Sequence, residues 1–335
     1  MITRLLTSSD EDIAAAARII REGGIVGMPT ETVYGLAGNA LDADSSRKIY
    51  AAKGRPSDNP LIVHIADIAD ISPLVKTVPD NARRLFDTFS PGPLTVILPK
   101  TDIIPDATSG GLDTVGIRIP ADRTARRLIR AAGVPIAAPS ANRSGSPSPT
   151  TAAHVMHDMD GRIPAVIDGG GCAVGVESTV VSCSEDGHIT ILRPGFVSLE
   201  DIASVTGEDG VSLAKGVTER ISDGERVLSP GMKYRHYAPD ADIALVVGGK
   251  EAFERFVSAQ EADAYAAGFG DESLPRLIPY GLTSEEQAHE LFDMLRRIDE
   301  IGAKRVYVRC PERSGVGLAV YNRLLRAAGF EVIYA

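Results

Sequence analysis

Cysteine is scarce in this 335-residue chain: Cys172, Cys183 and Cys310 stand far apart, and no Cys-x-x-Cys pair occurs. That spacing argues against a disulfide framework and against a structural zinc site, and it leaves three small, semi-buried side chains. Long apolar runs are missing as well, and no uninterrupted segment is long enough to span a bilayer. Met1 to Ser9 carries one positively charged side chain and no long apolar stretch, so a cytoplasmic protein without membrane association is expected. Basic residues are not in excess: 35 Lys and Arg stand against 45 Asp and Glu, a net charge of −10. The surface as a whole therefore does not attract nucleic acid or anionic membrane, and any polyanion contact must be local. No internal repeat or low-complexity tract is present. With 44% hydrophobic and 24% charged residues, the length suits two ordinary globular domains.

What is present alternates short apolar runs with helical patterns. Ser9-Asp10-Glu11-Asp12 reads as a capping box that opens an amphipathic helix ending at Gly23-Gly24, and Ile25 to Met28 follows as a buried strand. Further strands fit Ile62 to Ile65, Leu94 to Leu98, Val115 to Ile119, Pro135 to Ala138, Ala165 to Ile167, Thr179 to Ser182 and Ile189 to Leu192. Helices fit Asp80 to Phe89, Arg123 to Ala132 and Thr151 to Met159. The first two hundred residues or so are thus a mixed α/β domain. Periodicity fades between Glu208 and Pro239, which reads as a long connection. Beyond it, strands at Ile243 to Val247, Arg276 to Ile278, Arg305 to Val308 and Val332 to Tyr334 alternate with helices, the pattern of a small parallel sheet. Gly248-Gly249 is followed by Lys250-Glu251 rather than by a dinucleotide fingerprint, so the second unit is assigned no nucleotide of its own.

The polar residues gather near strand ends, where α/β sites form. Pro29-Thr30-Glu31-Thr32-Val33-Tyr34-Gly35-Leu36 and Lys53-Gly54-Arg55-Pro56 set two cations among hydroxyl and amide donors, which is what a phosphate-bearing ligand needs. Arg118 is the lone charge in an apolar strand. A guanidinium is costly to bury unpaired, so it should meet an anion, either a substrate carboxylate or a structural Asp or Glu. His64 is similarly placed, as a core histidine or a ligand contact. Pro139 to Thr150 is dense in hydroxyls and ends where a helix begins, either as a helix cap or as a phosphate loop. Ser229 to Pro239 packs two cations, two tyrosines and a histidine between prolines, as a rigid strap or as a lid that excludes water.

Taken in order, Pro29 to Leu36, Lys53-x-Arg55-Pro56, Pro139-Ser140-Ala141-Asn142, Gly175-x-Glu177-Ser178-Thr179, Arg193-Pro194-Gly195 and the Ser229 to Pro239 block resemble the YrdC-type family in its long two-domain form, the threonylcarbamoyl-AMP synthases of tRNA modification. The resemblance runs from about residue 10 to the C-terminus and is most diagnostic over the first 240 residues. One departure is local: in Leu36-Ala37-Gly38-Asn39-Ala40 the glycine and alanine stand in the reverse of the family's order.

The resemblance implies an α/β protein with a YrdC-like twisted mixed-sheet domain over residues 1–207, a lid over 208–240 and a smaller Rossmann-like domain over 241–335. It implies condensation of L-threonine, bicarbonate and ATP into threonylcarbamoyl-AMP with loss of pyrophosphate. Mg²⁺ would accompany the ATP, no protein metal ligand is implied, and the product would pass to a separate threonylcarbamoyl-transferase complex. Threonine contacts would come from Thr32, His64, Arg118, the backbone of Ala138, and Ser178, with Arg118 on the carboxylate. ATP contacts would come from Arg55, Asn59, Thr114, Ser140, Asn142, Ser148 and Arg193, with His236 or Tyr237 reaching in from the linker. Lys53 and Arg55 would stabilise charge during catalysis.

The same fold is also associated with double-stranded RNA, so a weak tRNA or duplex contact through Lys53, Arg55, Arg118, Arg143 and Arg193 is the alternative. Steep salt dependence would mark it. Related carbamoyl-handling domains of hydrogenase maturation accompany zinc-finger cysteine pairs, which this chain lacks.

Overall fold

The computed structural model describes residues 2–217, 219, 237–261 and 263–335. Its first unit is built on eleven strands: β1 Arg4–Leu6, β2 Ile25–Met28, β3 Gly35–Asn39, β4 Ile62–His64, β5 Leu94–Pro99, β6 Thr114–Arg118, β7 Ile136–Ala137, β8 Ala165–Ile167, β9 Thr179–Cys183, β10 Ile189–Arg193 and β11 Val211–Leu213. They lie in the order β1-β8-β2-β3-β7-β4-β6-β5-β9-β10-β11. Parallel pairs such as β4 with β6 alternate with antiparallel ones such as β5 with β6, so the sheet is mixed. β2, β4 and β8 are buried along their whole length, as strands covered on both faces should be. The helix Asp10–Arg21 starts where the Ser9 side chain accepts from the Asp12 N–H, and it buries Ile13, Ala16, Ala17 and Ile20 at helical spacing.

Besides the three-residue strand β1, which the sequence pattern does not show, two strands of this sheet lie where the sequence reads as loop. β3 is Gly-Leu-Ala-Gly-Asn, a composition that favours turns. Its glycine at position 38 follows from packing. The helix Ala43–Lys53 presses on the sheet there, and a Cβ on Gly38 would lie 2.5 Å from Ser45 Oγ and 3.1 Å from both Ile25 and Ile49 side chains. Ser45 Oγ in turn accepts from the Asn39 N–H at 3.0 Å. Ala37, on the other face, is fully buried with its methyl accommodated. The reversed Ala37-Gly38 pair therefore matches the helix above it. Gly38→Ala is expected to cost about 1–3 kcal/mol from overpacking, read as a lower unfolding midpoint in denaturant. An unchanged midpoint would show that the helix yields freely. The second of the two, β11, pairs in parallel with β10, so the first sheet extends into the stretch where periodicity fades. Three residues are too few to show a pattern.

The second unit is an all-parallel sheet of β12 Asp242–Val247, β13 Tyr265–Gly268, β14 Leu277–Pro279, β15 Arg305–Arg309 and β16 Val332–Tyr334, ordered β14-β13-β15-β12-β16. This is the Rossmann-like arrangement that the alternation predicts. β13 escapes the sequence reading because Tyr-Ala-Ala-Gly holds no β-branched residue. The long helix Ser284–Glu300 opens with the reciprocal capping box of Thr283 and Glu286. The two units share apolar contacts: Val33 and Val176 of the first belong to the same buried cluster as Tyr237, Leu291 and Phe292. Among the described residues no helix is long and apolar enough to cross a membrane.

Candidate active site

A pocket opens over the ends of β4, β6, β7 and β10. One group of lining residues comes from adjacent strands. His64 ends β4 and Arg118 ends β6, paired in register, and Ala138 follows β7. Arg118 is buried and donates through Nη2 to Glu31 Oε1 at 2.7 Å, while its Nε has no partner among the described residues. The expected guanidinium partner is therefore a structural carboxylate, and a further donor remains. Burial would push Glu31 up, but Arg118 overcomes this and holds its carboxyl below the ordinary value. His64 Nδ1 lies 3.2 Å from the Ile62 carbonyl, which can only accept, so Nδ1 carries the proton and Nε2 keeps its lone pair. Burial, then Arg118, bring His64 down to about 3, and the ring is neutral at physiological pH. The Ala138 N–H is engaged by the Ile62 carbonyl, which leaves its own carbonyl as the backbone group for a ligand.

A second group comes from a helix end and loops. Lys53 closes the helix Ala43–Lys53, and Gly54 turns left-handed at φ +65° to release the chain. Lys53 Nζ donates to the Ser140 carbonyl, to the Asn142 carbonyl at 2.6 Å and to Asn142 Oδ1 at 3.3 Å. Its three donors thus hold the Ser140 to Asn142 loop, and Asn142 Nδ2 extends the frame to the Arg143 and Ser146 carbonyls. Arg55 donates to the carbonyls of Asn59 and Pro60. Burial lowers Lys53 well below the ordinary lysine value and Arg55 to about 10. Arg193 donates to the Ser178 carbonyl at 3.0 and 3.1 Å and to Ser178 Oγ at 3.2 Å. The turn behind it is tight, since a Cβ on Gly195 would meet the Thr179 nitrogen at 2.3 Å. Tyr237 closes one wall with its ring 5.4 Å from Phe292, and Ala238 donates to the Gly145 carbonyl.

Of the residues that the sequence points to, Lys53, Arg55, His64, Arg118, Ala138, Ser140, Asn142, Ser178, Arg193 and Tyr237 line this one pocket. Thr32, Asn59, Thr114 and Ser148 do not. Thr32 is buried beside it, 2.9 Å from Thr30 Oγ1. Asn59 lies behind Arg55, with a buried Oδ1 that has no partner among the described residues. Ser148 donates to Glu177 at 2.6 Å, and Thr114 lines a separate small cavity with Pro60, Thr95 and Gly116. His236 and most of the Ser229 to Pro239 block lie outside the described residues. Lys53, Arg118 and Arg193 are each less than a tenth exposed and lie in the pocket interior, whereas Arg55 is half-buried and Arg143 is exposed. Glu31, Glu177 and Arg323 have no role in the sequence reading. Only the demand of Arg118 for an anion hinted at the first of them.

A mixed α/β sheet whose strand ends enclose cations, a neutral imidazole and hydroxyl donors has the lining of a site for small anionic ligands. A family model described as telomere recombination matches residues 18–195, and one described as the threonylcarbamoyl-AMP synthase C-terminal domain matches residues 197–329. The threonylcarbamoyl-AMP synthase of Bacillus subtilis is 44% identical over 99% of this chain and 97% of its own, and that of Pyrococcus abyssi is 44% identical over 96% and 95%. The crystal structure of P. abyssi Sua5 complexed with L-threonine superposes with a TM-score of 0.91 at 42% identity, covering all of both chains. The chain belongs to the two-domain, Sua5-type threonylcarbamoyl-AMP synthase family.

Proposed function

We propose that this pocket carries out the family's reaction, joining L-threonine, bicarbonate and ATP into threonylcarbamoyl-AMP and pyrophosphate in the cytoplasm. The carrying observation is the convergence, in one pocket, of Arg118, whose Nε has no partner among the described residues, and of the cations Lys53, Arg55 and Arg193. Arg118 suits the threonine carboxylate, since a planar guanidinium pairs with a carboxylate through two parallel bonds. His64 Nε2 accepts a hydrogen bond from the threonine amine, and its low basicity keeps a third charge out of the Glu31–Arg118 pair. Ser178 and the Ala138 carbonyl complete that half, with Thr32 behind it.

The neutral amine nitrogen attacks the carbon of carbon dioxide and gives up a proton to water to form a carbamate; from bicarbonate the same carbamate forms as a C–O bond breaks and water leaves. A carbamate oxygen then attacks the α-phosphorus, the bond to the β-phosphate oxygen breaks, and pyrophosphate leaves with the electron pair. Charge grows on the leaving group, and the cations facing the pocket are already desolvated, so little reorganisation is needed as it appears. Burial disfavours the charged forms of Lys53 and Arg55 in the free protein, and an incoming triphosphate relieves that penalty. Ser140, Asn142 and Arg193 are assigned to the nucleotide, with Asn59, Thr114 and Ser148 supporting its loops and Tyr237 or His236 covering it. Mg²⁺ would enter with the ATP, held by phosphate oxygens, and would offset their charge. The acyl-phosphate product is consumed by a transferase acting on tRNA.

Pyrophosphate release by the purified protein with ATP and Mg²⁺ tests this reading. Release is expected to require threonine and bicarbonate together, and equal release without threonine would sink it.

A further inference from the structure

The second unit places a buried arginine at the back of this pocket. Arg323, on the helix Gly317–Ala327, has no exposed surface, and its Nε donates to Glu177 Oε2 at 3.1 Å. Its other nitrogens donate to the carbonyls of Pro194 and, at 3.4 Å, Glu177. Glu177 itself lines the pocket, receives Ser148 on its other carboxylate oxygen, and immediately precedes Ser178. The contact is close along its length. Two residues before Glu177, a Cβ on Gly175 would meet the backbone of Ala288 and His289 at 2.5 Å. A second arginine of the same unit, Arg296, donates to the Pro147 carbonyl at 2.6 Å and to Asp158 at 2.7 Å, propping the loop that ends at Ser148.

A carboxylate in the wall of a pocket built for polyanions is a liability unless a cation neutralises it. Burial would raise Glu177, and Arg323 followed by Arg193 outweighs that, leaving its carboxyl below the ordinary value. Arg193 is already engaged with Ser178, so Arg323 is the cation whose Nε is given to this carboxylate.

We propose that Arg323 is a positioning residue for the reaction: it neutralises Glu177 and holds the Arg193-Pro194 segment against it, so that the second unit sets the charge and shape of the nucleotide side of the pocket. The proposal rests on the assignment of ATP to this pocket. Arg323 does not touch either substrate; it acts through Glu177 and the Pro194 carbonyl.

Steady-state kinetics of the full chain with ATP and threonine varied separately tests it. R323Q leaves Glu177 as an unpaired anion, so the KM for ATP is expected to rise about tenfold or more. The KM for threonine should change far less. Because Glu177 then loses its main cation, its carboxyl protonates more readily, and the KM for ATP in R323Q should improve as the pH is lowered, unlike that of the parent protein. Adding E177Q to R323Q removes the anion and should recover most of the ATP affinity. An equal loss for both substrates with no pH effect and no recovery would make Arg323 a structural residue only and overturn the proposal. Should R323Q fail to fold, R323K keeps the charge without the planar fork. A small rise in KM confined to ATP is expected, and an equal rise for both substrates would overturn the proposal. If the parent protein releases no threonine-dependent pyrophosphate, it is the assignment of the reaction that fails, before Arg323 is in question.

Discussion

Arg118→Gln is expected to lower threonine affinity by about two orders of magnitude or more, the usual consequence of removing one partner of a buried charge pair. Two effects combine. The substrate carboxylate loses its guanidinium, and Glu31, which Arg118 now holds at 2.7 Å, remains as a buried anion facing the incoming one. The same change should lower stability by about 3–5 kcal/mol near neutral pH. The sign with pH follows from linkage. In the parent protein Glu31 is held below its ordinary value, so its contribution is present above pH 4.5 and is lost as pH falls through the lowered folded value. Without Arg118, burial raises it instead, so R118Q should regain part of its stability as pH is lowered. The double variant E31Q/R118Q separates the two effects: stability should recover, threonine binding should not. Calorimetric titration with threonine decides the matter, and affinity within threefold of the parent would remove Arg118 from the substrate site.

The fold was largely legible because most strands are apolar runs bounded by Gly and Pro, and because Ser9, Thr283 and Ser198 announce their helices as caps. It was least legible where packing overrides composition. β3 is a strand because the helix Ala43–Lys53 needs a residue without a side chain at position 38, a demand invisible without the helix in place. In the site, Arg118 stood out as a charge in an apolar strand, but its partner lies 87 residues away in sequence. Arg323 is 146 residues from Glu177 and sits in a helix, Gly317–Ala327, whose residues are all buried, a burial that its arginines do not suggest in sequence. Thr114 shows the limit of motif position. It lines a neighbouring cavity with Thr95 and Gly116, and Pro60 and Ile62 line both that cavity and the main pocket. Ordered motifs bring the residues to one pocket; which of them face into it is decided by strand register and by the second unit.

Lys53→Met is expected to reduce kcat by about 10²–10³-fold, the range seen when one fixed donor to developing charge is removed. In the free protein all three Lys53 donors engage Ser140 and Asn142, so the amine acts first as the clamp that shapes the nucleotide loop. Phosphate oxygens entering beside it would compete for one of those donors and favour its charged form. Removing Lys53 therefore loses both the loop geometry and the nearby charge. Arginine should not rescue it, because a planar fork cannot reproduce three donors radiating from one nitrogen to this loop. A separate signature is expected in stability. Burial holds the folded value of Lys53 well below 10.5, so the folded state binds fewer protons than the unfolded chain between those limits, and stability rises with pH across that window. K53M should flatten this slope. Chemical unfolding at a series of alkaline pH values reads the slope, and single-turnover pyrophosphate release reads the rate. A kcat within fivefold of the parent, with the slope unchanged, would show Lys53 to be neither buried as described nor part of the reaction.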